Sequence, residues 1–328
     1  MHGSAGTPRR SGLRTTLGAG IALAALLGGA AHFDVLPLSR GGQDAAALEP
    51  PPIVPADIRW LPEDVVEGTV FTVVITGGDP AVTAAHGEFA GERLHFTSSG
   101  DTALIALAAA PLDSAGVREL RIDMTLADGR SAQQTAAIPV AAGEYRMERL
   151  SVAPQFGRPQ PPEIQERMRR EAARARAVSD ASHATPRMWE PPILAPRESR
   201  ITSGFGHGRM FNDEVQSRHT GTDFAGAVGA PVQAPARGVV ALVDDFYLGG
   251  GVIYLDHGAG LVTAYLHLSA KEVAEGDVVE RGDVIGRVGA TGRVTGPHLH
   301  WIVRYGRHTV DGLSLLRYPE ALTPASTP

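Results

Sequence analysis

Short runs of alternating apolar and polar residues recur along most of this chain, with glycine, proline or aspartate between them. This alternation is typical of β-strands, because successive side chains of a strand point to opposite faces of its sheet. The clearest runs are residues 69–76, 102–107, 119–126 and 136–140, followed by residues 239–243, 251–256, 261–266 and 284–288. The sequence therefore predicts a mainly β protein.

The runs fall into two groups, which predict two β-domains. The first group favours a small Ig-like β-sandwich over residues 57–153, with a hairpin turn at Asp128-Gly129. The second group favours a compact antiparallel sheet over residues 193–317. No long helical pattern interrupts its runs, and residues 256–260 supply a tight turn between two of them.

The first domain offers no pattern that indicates chemistry. His86 and His95 have no partner at the spacing of metal ligands, so we expect surface or hydrogen-bonded core histidines. Its predicted role is that of an accessory spacer or docking module.

A helical pattern lies between the two β-domains. Residues 161–181 begin with two prolines and then place apolar side chains at helical spacing. Glutamates in the first turns complement the helix dipole. The apolar stripe is narrow and consists of Ile164, Met168 and Ala172. We expect residues 154–192 to form a helical connector lying on one domain. Its many arginines leave a basic contact to an anionic polymer as the alternative.

The N-terminus carries a targeting pattern. Arg9, Arg10 and Arg14 precede an apolar run, residues 15–31, whose last residues are small. This order of basic, apolar and small residues is that of a signal peptide, although the run is only slightly short for a membrane span. Residues 1–33 are therefore predicted to be either a cleaved signal or an N-terminal membrane anchor. In both cases the folded part is expected in the periplasm or cell envelope.

Composition narrows the functional classes. The net charge of -6 gives no reason to expect nucleic acid as a partner. The chain has no cysteine, which excludes thiolate zinc sites and disulfides and suits an oxidising compartment. Proline, alanine and glycine dominate residues 34–56, which predicts a linker, and residues 318–328 are predicted to be a tail.

Two histidine motifs in the second domain predict a metal site. They are residues 219–223 (HTGTD) and residues 298–300 (HLH). An H-x-H motif in a strand sends both imidazoles to one face, and an H-x3-D pair can close a second edge of the same ion. Two imidazoles and one carboxylate suit Zn²⁺ and leave a position for water, which is the catalytic rather than the structural pattern. Either motif alone also occurs by chance, but together they predict a zinc site.

Six motifs follow one another in the second domain. They are residues 201–206 (ITSGFG), 219–224 (HTGTDF), 231–240 (PVQAPARGVV), 255–258 (LDHG), 265–269 (YLHLS) and 291–300 (TGRVTGPHLH). Over about a third of the chain, this series resembles the lysostaphin-type (LytM-type) zinc endopeptidases of the bacterial cell wall. The resemblance implies an open antiparallel sheet with a groove, and an enzyme that hydrolyses peptide bonds in peptidoglycan.

The same resemblance implies roles for five residues. His219, Asp223 and His300 would bind Zn²⁺, and His267 and His298 would act on water and the oxyanion. A histidine near the metal can move a proton because its pKa lies near neutrality, and His298 shares a strand face with His300. Two alternatives stay open: His298 is itself a ligand, or His267 is a hydrogen-bonded core residue.

For the other polar residues of this domain we expect roles outside the chemical step. His257 is expected to fix a turn, and His207 and His308 are expected to be exposed. Asn212 lies shortly before His219 and is a candidate for lining the groove or approaching the metal.

Two other classes of function compete with a peptidase. Some relatives of the family lack zinc ligands and activate other wall hydrolases, whereas every expected ligand is present here. Residues 231–240 and 275–286 also resemble half-repeats of biotinyl or lipoyl domains, but Lys271 is not in the hairpin context that a prosthetic group requires. The sequence leaves open which bond is cut, a glycyl bridge or a D-alanyl to diaminopimelate link.

Overall fold

The computed structural model describes residues 51–318, which are mainly β with two helices. The described chain from Pro52 onward is one compact unit. The predicted signal or anchor, most of the predicted linker and all but the first residue of the predicted tail lie outside the described residues. Neither helix between residues 51 and 318 has the length and apolar content needed to cross a bilayer.

The first region, residues 54–141, consists of two sheets that share one core. In chain order its strands are β1 (Val54–Leu61), β2 (Val65–Val66), β3 (Thr69–Asp79), β4 (Val82–Phe89), β5 (Glu92–His95), β6 (Thr97–Ser99), β7 (Ala103–Ala110), β8 (Gly116–Leu126) and β9 (Ser131–Ala141). One sheet has the order β1-β3-β7-β6 and the other the order β2-β9-β8-β4-β5. β1 begins inside the segment 34–56 that was predicted to be a linker.

The alternation of β8 shows why this region folds. Leu120, Ile122, Met124 and Leu126 are buried and the residues between them are exposed, so one face of the strand enters the core. Across the core, Phe71 of β3 contacts a phenylalanine of β4 edge to face, with ring centroids 5.1 Å apart. The Asp128-Gly129 hairpin between β8 and β9 is confirmed.

The second region is built around one large antiparallel sheet. Its strands and those of two small sheets are β10 (Met147–Leu150), β11 (Ile201–Ser203), β12 (Gly208–Phe211), β13 (Val215–Arg218), β14 (Thr222–Ala225), β15 (Pro231–Gln233), β16 (Gly238–Phe246), β17 (Gly250–Gly258), β18 (Leu261–Leu268), β19 (Ala270–Lys271), β20 (Val278–Val279), β21 (Val284–Arg287), β22 (His298–Tyr305) and β23 (His308–Val310). The large sheet has the order β11-β14-β22-β18-β17-β16-β20, with β23 beside β22. Trp301, Tyr265 and Tyr305 are the largest fully buried side chains under it.

Strand β10 connects the two regions in an unexpected way. It lies within the segment 57–153 that was assigned to the sandwich, yet it pairs in parallel with β12 of the second region. Sequence separation hides this contact, because about sixty residues lie between the two strands.

Helix α1 (Pro162–Ser182) matches the predicted helix to within one residue at each end. It lies on the large sheet and buries Ala175, Ser179 and Ser182, small side chains that allow a close approach. Ala172, predicted to belong to the apolar stripe, is exposed. Several arginines of α1 pair with acidic side chains, as Arg167 does with Glu171. The short helix α2 (Gly312–Leu316) follows β23 and is capped by the Asp311 side chain.

A cluster of polar side chains joins the two regions. We call Glu92, His95, His183 and His308 the interface cluster. The ring of His183, just after α1, contacts Glu92 Oε2 at 3.0 Å and His95 Nε2 at 2.9 Å. His308 of β23 lies 3.9 Å from Glu92 and contacts the carbonyl of Ala90 at 2.9 Å.

Candidate active site

The pairing of β14 with β22 places two of the predicted ligands side by side. Asp223 and His300 are direct cross-strand partners, and Ala225 pairs with His298. Directly opposed residues share a face, so the carboxylate and the imidazole converge, with Asp223 Oδ1 2.7 Å from His300 Nδ1. The register of the β14–β22 pairing therefore brings two of the three predicted metal ligands together.

His219 completes this group from the turn before β14. Its Nδ1–H donates to the carbonyl of Gly204 at 2.6 Å, which leaves the lone pair of Nε2 facing the site. His219 Nε2 lies 3.0 Å from both Asp223 Oδ1 and His300 Nδ1. Gly221 permits this approach, because a Cβ there would lie 2.7 Å from His300 Nε2.

The donor set of these three residues fits a cation. His219, Asp223 and His300 are all buried, and among the described residues they are the one group of three whose metal-ligating atoms lie within 4.8 Å of one another. Burial opposes ionisation of Asp223, but its close contacts with the His219 and His300 rings hold its pKa well below the usual value. Burial also lowers the pKa of His300 to about 4. An anion and two neutral imidazoles facing one point are what a divalent metal requires.

His298 lies next to this group but outside it. Its Nδ1–H donates to the carbonyl of Gly296 at 2.8 Å, so Nε2 is directed inward and lies 3.7 Å from Asp223 Oδ1. This distance exceeds those within the group of three.

His267 reaches the same face through an irregularity of β18. Leu266 pairs with His300, so residue 267 of a regular strand would point to the opposite face of the sheet. A bulge interrupts the β17–β18 pairing here, and His267 has a φ of 65°, a left-handed value that residues with side chains rarely adopt. As a result, its ring centroid lies 4.9 Å from that of His298 and 5.8 Å from that of His300.

The environment of His267 favours the neutral imidazole. Its side chain is buried, and burial, followed by the charges of the neighbouring histidines, lowers its pKa well below the usual value. Nδ1–H donates to the carbonyl of Thr291 at 2.8 Å. This bond fixes the tautomer and the ring orientation.

A second layer of polar contacts supports the ligands, and the sequence did not predict it. Arg209 of β12 donates to Asp223 Oδ2 at 2.6 Å and to Glu148 Oε2 at 3.2 Å. Ser203 contacts both the Glu148 carboxylate, at 2.9 Å, and His219 Nδ1, at 3.2 Å. Glu148 thus links β10 to two of the predicted ligands. Ser203 belongs to the ITSGFG motif, but the sequence around Glu148 and Arg209 carries no local signal.

A groove of about 440 Å³ opens beside these residues. Its lining includes Glu148, Arg149, Leu150 and Val152 from one segment and residues 293–298 from another, together with Asp223. A groove of this volume next to the predicted ligands is a candidate binding site for a peptide.

Several expectations for other polar residues are corrected. His207 is half-buried and contacts Glu148 Oε1 at 3.0 Å, and His308 is half-buried in the interface cluster, so neither is exposed. The Asn212 amide bonds both backbone groups of Val152, at 2.9 and 3.1 Å, instead of approaching the metal ligands. His257, expected to fix a turn, instead lies in β17, where it is fully buried and bonds the carbonyl of Arg237 at 2.8 Å.

Comparisons with known proteins agree with this geometry. Residues 217–312 match peptidase family M23. Over 127 residues the chain is 40% identical to the DD-carboxypeptidase/endopeptidase Mpg of Neisseria meningitidis. The aligned residues make up 39% of this chain and 29% of that protein. Over 117 residues it is 41% identical to the peptidoglycan DD-endopeptidase ShyB of Vibrio cholerae, covering 35% of this chain and 27% of that one. The chain thus spans less than a third of the length of these relatives.

A solved structure extends the likeness beyond the matched domain. A putative peptidase M23 from Pseudomonas aeruginosa superposes with a TM-score of 0.58 at 27% identity, covering 76% of this chain and 94% of that one. The sheet, the motifs and the family match together show that the chain carries a peptidase family M23 domain over residues 217–312.

Proposed function

We propose that this protein is a zinc-dependent endopeptidase that hydrolyses cross-links or stem peptides of bacterial peptidoglycan. The observation that carries the proposal is the convergence of His219, Asp223 and His300 on one point, next to a groove that Asp223 and His298 line. The printed names of the Neisseria and Vibrio relatives, which include DD-endopeptidases of peptidoglycan, support the choice of substrate.

Zinc held by His219, Asp223 and His300 would acidify a water molecule and polarise the scissile carbonyl. The neighbouring histidines would handle protons and charge. His298, with its inward Nε2, would accept a proton from the attacking water and pass it to the departing amine. His267, whose Nδ1–H is donated to Thr291, presents the lone pair of Nε2, so it would first accept a proton and would stabilise the charge on the carbonyl oxygen only once Nε2 carries that proton.

The alternative is a non-catalytic protein that binds the wall and activates other hydrolases. Its defining feature would be the loss of a ligand or of an auxiliary histidine. All five of these residues are present, and four of them are buried. Catalysis is therefore the better account.

Incubation of the purified chain with intact peptidoglycan tests the proposal. We expect soluble muropeptides, identified by mass spectrometry, and their loss after chelation and in the Asp223→Ala variant. Release that persists in metal-free protein would refute a zinc mechanism. Absence of any release by zinc-loaded protein would favour the non-catalytic alternative.

We also propose that the two-sheet region is an Ig-like accessory domain and that the protein works in the periplasm or cell envelope. The basic, apolar and small order of residues 1–33 and the absence of cysteine support this location. A fusion of residues 1–60 to a reporter that is active only after export should give a signal. Fractionation of the same fusion would separate cleavage from anchoring.

A further inference from the structure

The groove contains one cationic side chain that has no anionic partner. Its lining includes three arginines, and two of them are neutralised. Arg209 pairs with Asp223 at 2.6 Å, and Arg149 pairs with Asp213 at 2.5 Å. Within residues 51–318, the guanidinium of Arg293 forms no hydrogen bond or ion pair.

Arg293 is nevertheless held in a fixed position. Its guanidinium carbon lies 4.0 Å from the ring centroid of Phe211, and its backbone N–H donates to the carbonyl of Leu248 at 2.9 Å. Burial and then the nearby charge of Arg209 lower the pKa of Arg293 to about 10, so it remains charged at neutral pH.

Other partly buried arginines of the chain show what such a side chain usually has. Arg187 also stacks on an aromatic ring, that of Trp189, but it donates to the Trp189 carbonyl at 2.9 Å and to Thr97 at 3.1 Å. Arg304 donates to Ser179 at 3.2 Å. No nitrogen of Arg293 is among the sealed polar atoms without a partner, so water in the groove reaches its donors and a ligand bound there can replace that water. Arg293 lines the groove, so an anionic partner for it would come from a molecule bound there.

We propose that Arg293 binds a free carboxylate of the peptide substrate, on the residue next to the scissile bond. A planar guanidinium matches a carboxylate with two parallel hydrogen bonds, and Phe211 fixes its plane. Arg293 and His298 line the same groove, so a carboxylate bound by Arg293 would hold the neighbouring peptide bond beside His298. This role of Arg293 rests on the proposed peptidase function. It favours a substrate with a carboxylate next to the scissile bond over an uncharged glycyl bridge.

Two synthetic cross-linked peptides test this role. They differ only in the group beside the scissile bond, a free carboxylate in one and a primary amide in the other. For the wild-type enzyme we expect kcat/KM to be about 10- to 100-fold higher for the acid, which is the usual effect of a hydrogen bond to a charged group. Arg293→Gln should lower the value for the acid to that for the amide, with little change for the amide. Arg293→Lys should retain part of the preference.

Arg149→Gln is the matched control, because Arg149 lines the same groove but is ion-paired and exposed. It should keep the wild-type ratio of acid to amide. Equal rates for both peptides in the wild type, or an unchanged preference in Arg293→Gln, would overturn the proposal.

Binding separates this proposal from the proposed function. Calorimetric titration of both peptides into zinc-loaded His298→Ala protein, with and without Arg293→Gln, needs no turnover. Tighter binding of the acid that depends on Arg293 supports the carboxylate site even if no peptide is cleaved by the wild type. Equal affinities for acid and amide contradict it even if peptidoglycan is hydrolysed.

Discussion

The molecule has two histidine clusters that use the same residue types for different ends. In the interface cluster each contact runs from a donor to an acceptor, from His95 through His183 to Glu92. In the site, the acceptors His219 Nε2 and Asp223 Oδ1 face each other at 3.0 Å, and His300 Nδ1 lies 2.7 Å from that oxygen and 3.0 Å from that nitrogen. The first arrangement is satisfied by protons, whereas the second requires a cation. The tautomer that the Gly204 carbonyl fixes at His219 therefore distinguishes the two clusters better than the number of histidines does.

The largest contrast between the clusters should be in metal content. Asp223→Ala removes the anionic ligand, so we expect less than about a tenth of the wild-type zinc by elemental analysis and no measurable hydrolysis. His183→Gln changes the interface cluster and should retain full zinc. Zinc loss in His183→Gln alone would reverse the distinction between the two clusters.

The next contrast lies within the site itself. His298→Ala and His267→Ala should each keep zinc near one per chain, while turnover falls roughly a hundredfold or more. The physical reason is that His298 Nε2 lies 3.7 Å from Asp223 Oδ1, farther than the predicted ligands lie from each other. Metal analysis of His298→Ala decides the assignment: a zinc-free protein would make His298 a ligand.

Much of this fold follows from local sequence pattern. The strands of both regions, the Asp128-Gly129 hairpin and helix α1 were predictable because alternation, turn residues and helical spacing act over a few neighbouring residues. The burial of Ala175 in place of Ala172 was not, since the surface under the helix selects which face is covered. The start of β1 at Val54 was missed because proline and alanine next to it resemble a linker.

In the site, too, local motifs predict some residues, whereas the positions of others depend on the folded structure. The positions of His219, Asp223 and His300 follow from two short motifs and one strand pairing. Strand periodicity alone would place His267 on the wrong face, and only the bulge with its φ of 65° turns the ring toward the site. Glu148 could not be found from sequence, because its role depends on a parallel pairing between strands far apart in the chain.

Removing the anion of the interface cluster should affect stability but not metal. Glu92 is buried and accepts hydrogen bonds from the His183 ring at 3.0 Å and the Arg307 backbone at 3.0 Å. Burial raises its pKa, but these bonds together hold it below the usual value, so it is charged at neutral pH. We expect Glu92→Gln to lower the free energy of unfolding by about 2 kcal/mol in urea titration. The exposed Glu88→Gln is the control, and equal stability of both variants would contradict the expectation.

The smallest effect is a dependence of stability on pH that originates in His95. Burial, followed by the charges of His183, Arg93 and His86, lowers the pKa of His95 from 6.5 to about 4. A lowered pKa means that the unfolded chain binds the proton more tightly, so the stabilising contribution is complete above pH 6.5 and disappears as pH falls toward 4. Between pH 7 and pH 5 we expect the wild type to lose about 1 kcal/mol more stability than His95→Gln, a value reduced for the partial exposure of the ring. Urea unfolding of both proteins at the two pH values measures this difference and cancels the titration of the site histidines, which the two proteins share. Parallel pH profiles would contradict a lowered pKa of His95 in the folded protein.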